Sequence, residues 1–235
     1  MMKHTSPIMK LFVVAVVCMI GSSCSKSRNE SAMVLYNGNL LNQYYNINFI
    51  KADSSTIVTA SFTEALTGRP LVFPDRSLVT VNGVACSFVS RQVPDFFAWE
   101  IHDSIVAFIL SDPKKLLINV VPLSSINDII LVMDSVLPVN DTMHVSFIGA
   151  PLGEDEHIDM AMYRNNDTSN GWNGVSYDFH SRQGTLDFSE TKKLSPGTYT
   201  VTISRQKKMP LKQADGHAGG QILISITDRK TVVVK

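Results

Sequence analysis

An all-β fold of two β-sandwiches in tandem is what this sequence predicts, and three observations predict it. Period-two segments rich in Val, Ile, Thr and aromatic residues recur about every ten residues along most of the chain, the spacing of short sandwich strands. Helical periodicity is nearly absent: the best stretch, Thr63 to Leu66, runs into Gly68 and Pro70 and predicts a turn. Val81-Asn82-Gly83-Val84 is a hairpin signal, because Asn-Gly supplies the positive φ angles that a two-residue β-turn requires.

The first set of strands is expected at 33–36, 47–52, 56–63, 77–81, 84–89, 96–101, 105–110 and 116–121. Within it, Tyr44-Tyr45 lies in Asn-rich surroundings and is either an exposed contact or a strand start. Phe97 and Trp99 share one strand face and are expected in the core, as is Cys86, a small apolar side chain in an alternating run. Turn formers between Pro122 and Asp128 mark a boundary, dividing the fold into 32–126 and 127–235. The second set is expected at 129–133, 143–148, 157–164, 175–180, 185–188, 198–205 and 221–234. The last is long and is expected to bend or break near Thr227 to Lys230.

The run Leu194-Ser195-Pro196-Gly197-Thr198-Tyr199-Thr200-Val201 resembles the L-x-P-G-T-x-Y-x-V stretch of fibronectin type III and related immunoglobulin-like domains. There the tyrosine hydroxyl bonds back to the nearby backbone at a corner of the sandwich. The resemblance implies immunoglobulin-like sandwiches and carries no activity with it.

The first two dozen residues give an address. Lys3 and Lys10, the apolar run from Leu11 to Ile20 and the small residues Gly21-Ser22-Ser23 are the parts of a secretory signal, so residues 1–23 fall outside the fold. The apolar run is half the length that a membrane-crossing helix needs, about twenty residues. Small residues immediately before Cys24 resemble the lipobox of bacterial lipoproteins, which implies cleavage before Cys24 and acyl chains on it. Ordinary cleavage, leaving a soluble chain with a free Cys24, is the alternative. Residues 24–31 are polar and read as a tether. Lipid anchoring in the outer membrane is the expected location, on its periplasmic or its outer side.

Composition narrows the function. The chain holds 21 basic and 21 acidic residues, and the signal removes two bases, so no basic footprint for nucleic acid is present. Of three cysteines, Cys18 leaves with the signal and Cys24 is the lipidation site, so Cys86 has no partner for an internal disulfide. No H-E-x-x-H, paired Cys/His or G-x-S-x-G motif occurs, and no catalytic apparatus, metal or cofactor is predicted. Glu154-Asp155-Glu156-His157-x-Asp159 gathers carboxylates but lacks the ligand spacing of a calcium loop, and reads as a solvated turn leading into a strand.

Two weaker features point outward. The loop from Asn165 to Gly174 sets Trp172 among Asn166, Asn170 and Asn173. An aromatic face with amide donors suits a sugar ring, although Trp172 folded back onto the sandwich explains it as well. Asp-Ser/Thr-aliphatic triplets at Ser104, Ser135 and Thr142 resemble the O-glycosylation site of lipoprotein-rich Gram-negative bacteria. The expected protein is therefore a non-catalytic cell-envelope lipoprotein. It meets the membrane through acyl chains and acts as a protein-interaction or scaffolding module, or alternatively as a glycan-binding accessory through Trp172.

Overall fold

The computed structural model describes residues 34–73, 78–86, 88–89, 96–138, 145–165, 177–179, 185–186 and 195–235. Strands of the first part are β1 (Val34–Leu35), β2 (Leu41–Ile50), β3 (Ser55–Glu64), β4 (Leu71–Val72), β5 (Val79–Val81), β6 (Val84–Ala85), β7 (Phe88–Val89), β8 (Phe96–Ile101), β9 (Ile105–Asp112) and β10 (Lys115–Pro122). After the short helical turn Leu123–Ser125 come β11 (Ile129–Met133), β12 (Val136–Leu137), β13 (Val145–Gly149), β14 (Glu156–Arg164), β15 (Tyr177–Phe179), β16 (Thr185–Leu186), β17 (Gly197–Met209) and β18 (Gly220–Val234). The protein is all-β. A short helical turn also spans Lys51–Asp53, between β2 and β3.

A nine-stranded sheet organises these elements, in the order β15-β14-β17-β18-β2-β3-β8-β7, with β12 also paired to β18. Strands from the two sides of residue 126 thus hydrogen-bond directly. Residues 220–227 of β18 run parallel to 43–50 of β2, while Val233 and Val234 run parallel to Val136 and Leu137. The expected break in the last strand is not there: β18 pairs with β17 without interruption from Ile222 to Val234. What changes between Thr227 and Val233 is the partner on its other edge. Asp228 stays in register because its carboxylate accepts the Leu131 N–H at 2.8 Å, an anchor that keeps the polar stretch extended.

Three smaller sheets, β10-β9-β5-β6, β11-β13-β16 and the parallel pair β1-β4, accompany the long one. Alternation decides which side chains meet them. On β2, Leu41, Gln43, Tyr45 and Ile47 point inward, and directly opposite them on β3 stand Phe62, Ala60 and Val58. Tyr45 stacks on Phe108 of β9 with ring centroids 4.0 Å apart, joining the long sheet to the four-stranded one. Phe97 and Trp99 are buried as expected, and stack at 6.1 Å. At the other end Ile158, Met160, Val201, Ile203 and Val232 line the same face, with Ile129, Leu131, Val145 and Phe147 of β11 and β13 in the same continuous core. Burying each such side chain contributes about 1.5–3 kcal/mol.

Local signals hold where chemistry fixes them. Asn82 and Gly83 both have positive φ, 50° and 78°, and form the turn between β5 and β6. The Asn82 side chain donates to Asp103 and accepts the Ala107 N–H, tying the turn to β9. The Tyr199 hydroxyl donates to the Ser195 carbonyl at 2.9 Å, the bond back to nearby backbone that such a corner requires. Cys86 is half-buried rather than buried, with Sγ 3.8 Å from the Ala98 carbonyl.

Candidate functional site

Opposite the core, the central strands of the long sheet present amides and hydroxyls. Register places Asn42, Tyr44 and Asn46 of β2 on this outward face, alternating with the buried Leu41, Gln43, Tyr45 and Ile47; Asn48 follows on the same side but is itself buried. Tyr44 is 39% exposed and stands directly between Ser61 of β3 and Gln221 of β18. Of the tyrosine pair singled out in the sequence, one is therefore a surface residue and the other a core residue. Asn42 is fixed from both ends, donating to Thr63 Oγ1 at 3.1 Å and accepting the Gly219 N–H at 2.7 Å.

Next to Tyr44 on this face, Asn46 carries a buried side-chain oxygen, Oδ1, with no hydrogen-bond partner. An unsatisfied buried acceptor costs about 1–3 kcal/mol. Beyond it the face is internally bonded. Asn48 Oδ1 accepts Ser225 Oγ at 3.0 Å and Thr227 Oγ1 at 2.8 Å, and Ser204 and Thr227 hydroxyls lie 2.7 Å apart. The row continues to Gln206, which donates to Asp159, and to His157, 3.8 Å from the same carboxylate. The patch around Tyr44, Asn46, Ser61 and Gln221 is thus a ring face set among hydrogen-bonding groups, suited to a polar ligand with apolar faces or to a partner's backbone.

Most other ionisable clusters serve the fold. The run Glu154 to Asp159 is divided by strand alternation. Glu156 turns inward to the buried Arg205, while His157 and Asp159 lie on the outward face. Burial, the largest influence on the Glu156 carboxyl, raises its pKa. The Gly153 N–H and the charges of Arg205 and Lys207 outweigh it and hold the carboxyl below its ordinary value. Arg205 also donates to the carbonyls of Ala150 and Pro151 at 2.7 and 2.8 Å, fixing the segment before β14.

A second cluster holds down the β17–β18 connection, residues 210–219. The buried Asn119 accepts the N–H groups of Lys212 and Gln213 at 2.8 and 3.0 Å, and donates to Gln213 O and Gln43 Oε1. Lys115 Nζ meets Asp215 at 2.6 Å. Burial pushes the Tyr45 hydroxyl well above its ordinary pKa, so it stays protonated while donating to Gln43 Oε1 at 2.8 Å. Tyr36 is likewise pushed up, first by burial and then by its bond to Asp112. Asp112 is lowered, because the Tyr36 hydroxyl, the N–H groups of Lys114 and Lys115 and the Lys115 charge outweigh the burial that would raise it.

Ser104 and Ser135 are both exposed in turns, with their carbonyls accepting the N–H groups of Leu123 and Val233. Cys24, Thr142, Asn166, Asn170, Trp172 and Asn173 lie outside the described residues. Among the described residues no three His, Cys, Asp or Glu side chains are grouped so as to hold a metal ion, and no helix is long and apolar enough to cross a membrane. Sequence reasoning finds neither the buried cluster of Gln43, Asn119 and Asp215 nor the separate buried pair of Arg205 and Glu156. The parity of Tyr199-Val201-Ile203-Arg205 does put an arginine at an inward position, and was the available signal. Compared with protein-family models, curated proteins and solved structures, the chain matches none.

Proposed function

We propose that this chain is a non-catalytic cell-envelope lipoprotein, held at the outer membrane by acyl chains on Cys24 and acting as a protein-interaction or scaffolding module. In this reading its two halves, 32–126 and 127–235, are immunoglobulin-like sandwiches joined through the sheet to which both contribute strands. The observation that carries it is the Tyr44 face, where an exposed ring stands between Ser61 and Gln221 beside Asn42. An exposed aromatic ring set among polar side chains is the kind of anchor an interface uses. Pull-down from membrane extract with the lipidated protein tests this. A stoichiometric envelope protein is expected with wild type and is lost with Tyr44→Ala, while the thermal transition stays in place. Equal recovery of that protein by Tyr44→Ala removes the face from the account.

A second reading, a glycan-binding accessory, draws on the same chemistry: Tyr44 among Asn42, Asn46, Ser61 and Gln221 repeats the aromatic-with-amides composition of Trp172 with Asn166, Asn170 and Asn173. It predicts saccharide-dependent quenching of tryptophan fluorescence that Trp172→Ala abolishes, together with signal on a glycan array.

A further inference from the structure

Four leucines stand exposed at the end of the fold where the chain enters it. Leu35 belongs to β1, Leu40 precedes β2, Leu116 opens β10, and Leu66, 90% exposed, lies in the turn that follows β3. Hydrogen bonds bring these segments together. The Ala65 N–H donates to the Leu40 carbonyl at 3.0 Å, Lys114 Nζ to the Asn37 carbonyl at 3.3 Å and Lys115 Nζ to the Asn39 carbonyl at 3.0 Å, and the Tyr36 hydroxyl reaches Asp112. Single exposed leucines are ordinary on a protein surface, but four around one end form a group, and a turn of this kind is usually built from polar residues.

Charge at this end is mixed, with Glu64, Asp112 and Asp215 standing among Arg69, Lys114 and Lys115. Glu64 is engaged by Asn39 and Thr67, Asp112 by Tyr36 and two backbone N–H groups, and Asp215 by Lys115. The Lys114 and Arg69 side chains are exposed. Nine residues lie between Cys24 and Val34, and the ten steps from one to the other reach at most about 35 Å when fully extended.

We propose that this end docks on the lipid surface, with Leu66 and its neighbours entering the boundary between headgroups and acyl chains and with Arg69 and Lys114 among the headgroup phosphates. The proposal rests on acylation of Cys24, which tethers this end within about 35 Å of the bilayer. Apolar insertion combined with cationic contact is the chemistry by which peripheral surfaces bind lipid. A second copy of the chain fits less well, because turn tips do not make the broad self-complementary patch of about 800 Å² per partner that a stable interface uses.

Amide hydrogen exchange of membrane-purified protein, reconstituted into vesicles of phosphatidylethanolamine and phosphatidylglycerol, tests the docking. Docking slows exchange across residues 65–69 by about tenfold or more relative to protein in solution, and Leu66→Asp removes that protection without moving the thermal transition. Unchanged exchange at 65–69 on vesicles overturns the proposal, as does protection that appears without lipid and grows with protein concentration. Mass measurement of the same sample reads acylation separately. If Cys24 proves unmodified, the anchor reading fails by itself. Joining Cys24 to a maleimide-bearing lipid, in a Cys86→Ala background, then puts the docking to the same two outcomes.

Discussion

Replacing Arg205 by Ala removes the charged partner of a carboxylate that stays buried. The Arg205 side chain is fully buried, and it serves Glu156 through Nε at 3.2 Å and through Nη2 while also donating to the carbonyls of Ala150 and Pro151. Arg205→Ala leaves Glu156 with the Gly153 N–H at 2.9 Å, and leaves the two carbonyls without their donors. Breaking one side of a buried pair costs about 3–5 kcal/mol. At roughly 3 °C per kcal/mol for a chain of this size, Tm falls by about 12 °C.

Acid pH supplies the diagnostic. In wild type the Glu156 carboxyl is held below its unfolded value, so its contribution is complete above that value and is lost as pH falls through the lower, folded one. In Arg205→Ala the carboxyl is buried and loses its bonded cation, keeping only the charge of Lys207, so its pKa rises and acid relieves the variant. Urea unfolding followed by circular dichroism, at about pH 7 and about pH 4, therefore shows a deficit that shrinks on acidification. A second change, Glu156→Leu on top of Arg205→Ala, removes the stranded charge and recovers part of the loss, leaving about 2 kcal/mol for the two carbonyls. A deficit below about 1 kcal/mol at neutral pH, or one that grows in acid, refutes the reasoning.

Other substitutions probe the long sheet. A Cβ on Gly220 would sit 2.1 Å from the Gln43 carbonyl oxygen at a φ of 144°, so Gly220→Ala costs about 3 kcal/mol and is read as a lower urea midpoint. Asn119→Leu leaves the N–H groups of Lys212 and Gln213 without their acceptor, costs about 2 kcal/mol and speeds hydrogen exchange across 211–219. Unchanged exchange there removes Asn119 as the clamp on that connection. Tyr199→Phe loses only the bond to Ser195 and costs about 1 kcal/mol, while a loss several times larger means that the ring is displaced as well.

Period-two alternation made the strands readable because each strand has one buried face. The segments 96–101 and 129–133 coincide with β8 and β11, and the turn at Asn82-Gly83 follows from backbone sterics that no tertiary contact needs to supply. Strand β2 begins at Leu41, six residues before the expected start at Ile47. Its inward row includes Gln43, a polar residue that reads as loop until Tyr45, Asn119 and Gln213 are known to satisfy it. The extension of β17 past Arg205 was hidden for the same reason, since a buried arginine is legible only with its carboxylate in view. Nor does local pattern say which strands pair. The parallel contact of β18 with β2 joins residues about 180 positions apart, and at Thr227 to Lys230 β18 stays paired to β17 while its other neighbour changes from β2 to β12. At the candidate site the sequence signalled Tyr44 through its asparagines. Only register separates it from Tyr45 and sets it beside Asn46.

Electrospray mass of the protein purified from membranes tests the central claim most directly. The account predicts a chain that begins at Cys24 and carries the added mass of acyl chains on that residue. A mass equal to the unmodified chain from Cys24 contradicts the anchored lipoprotein.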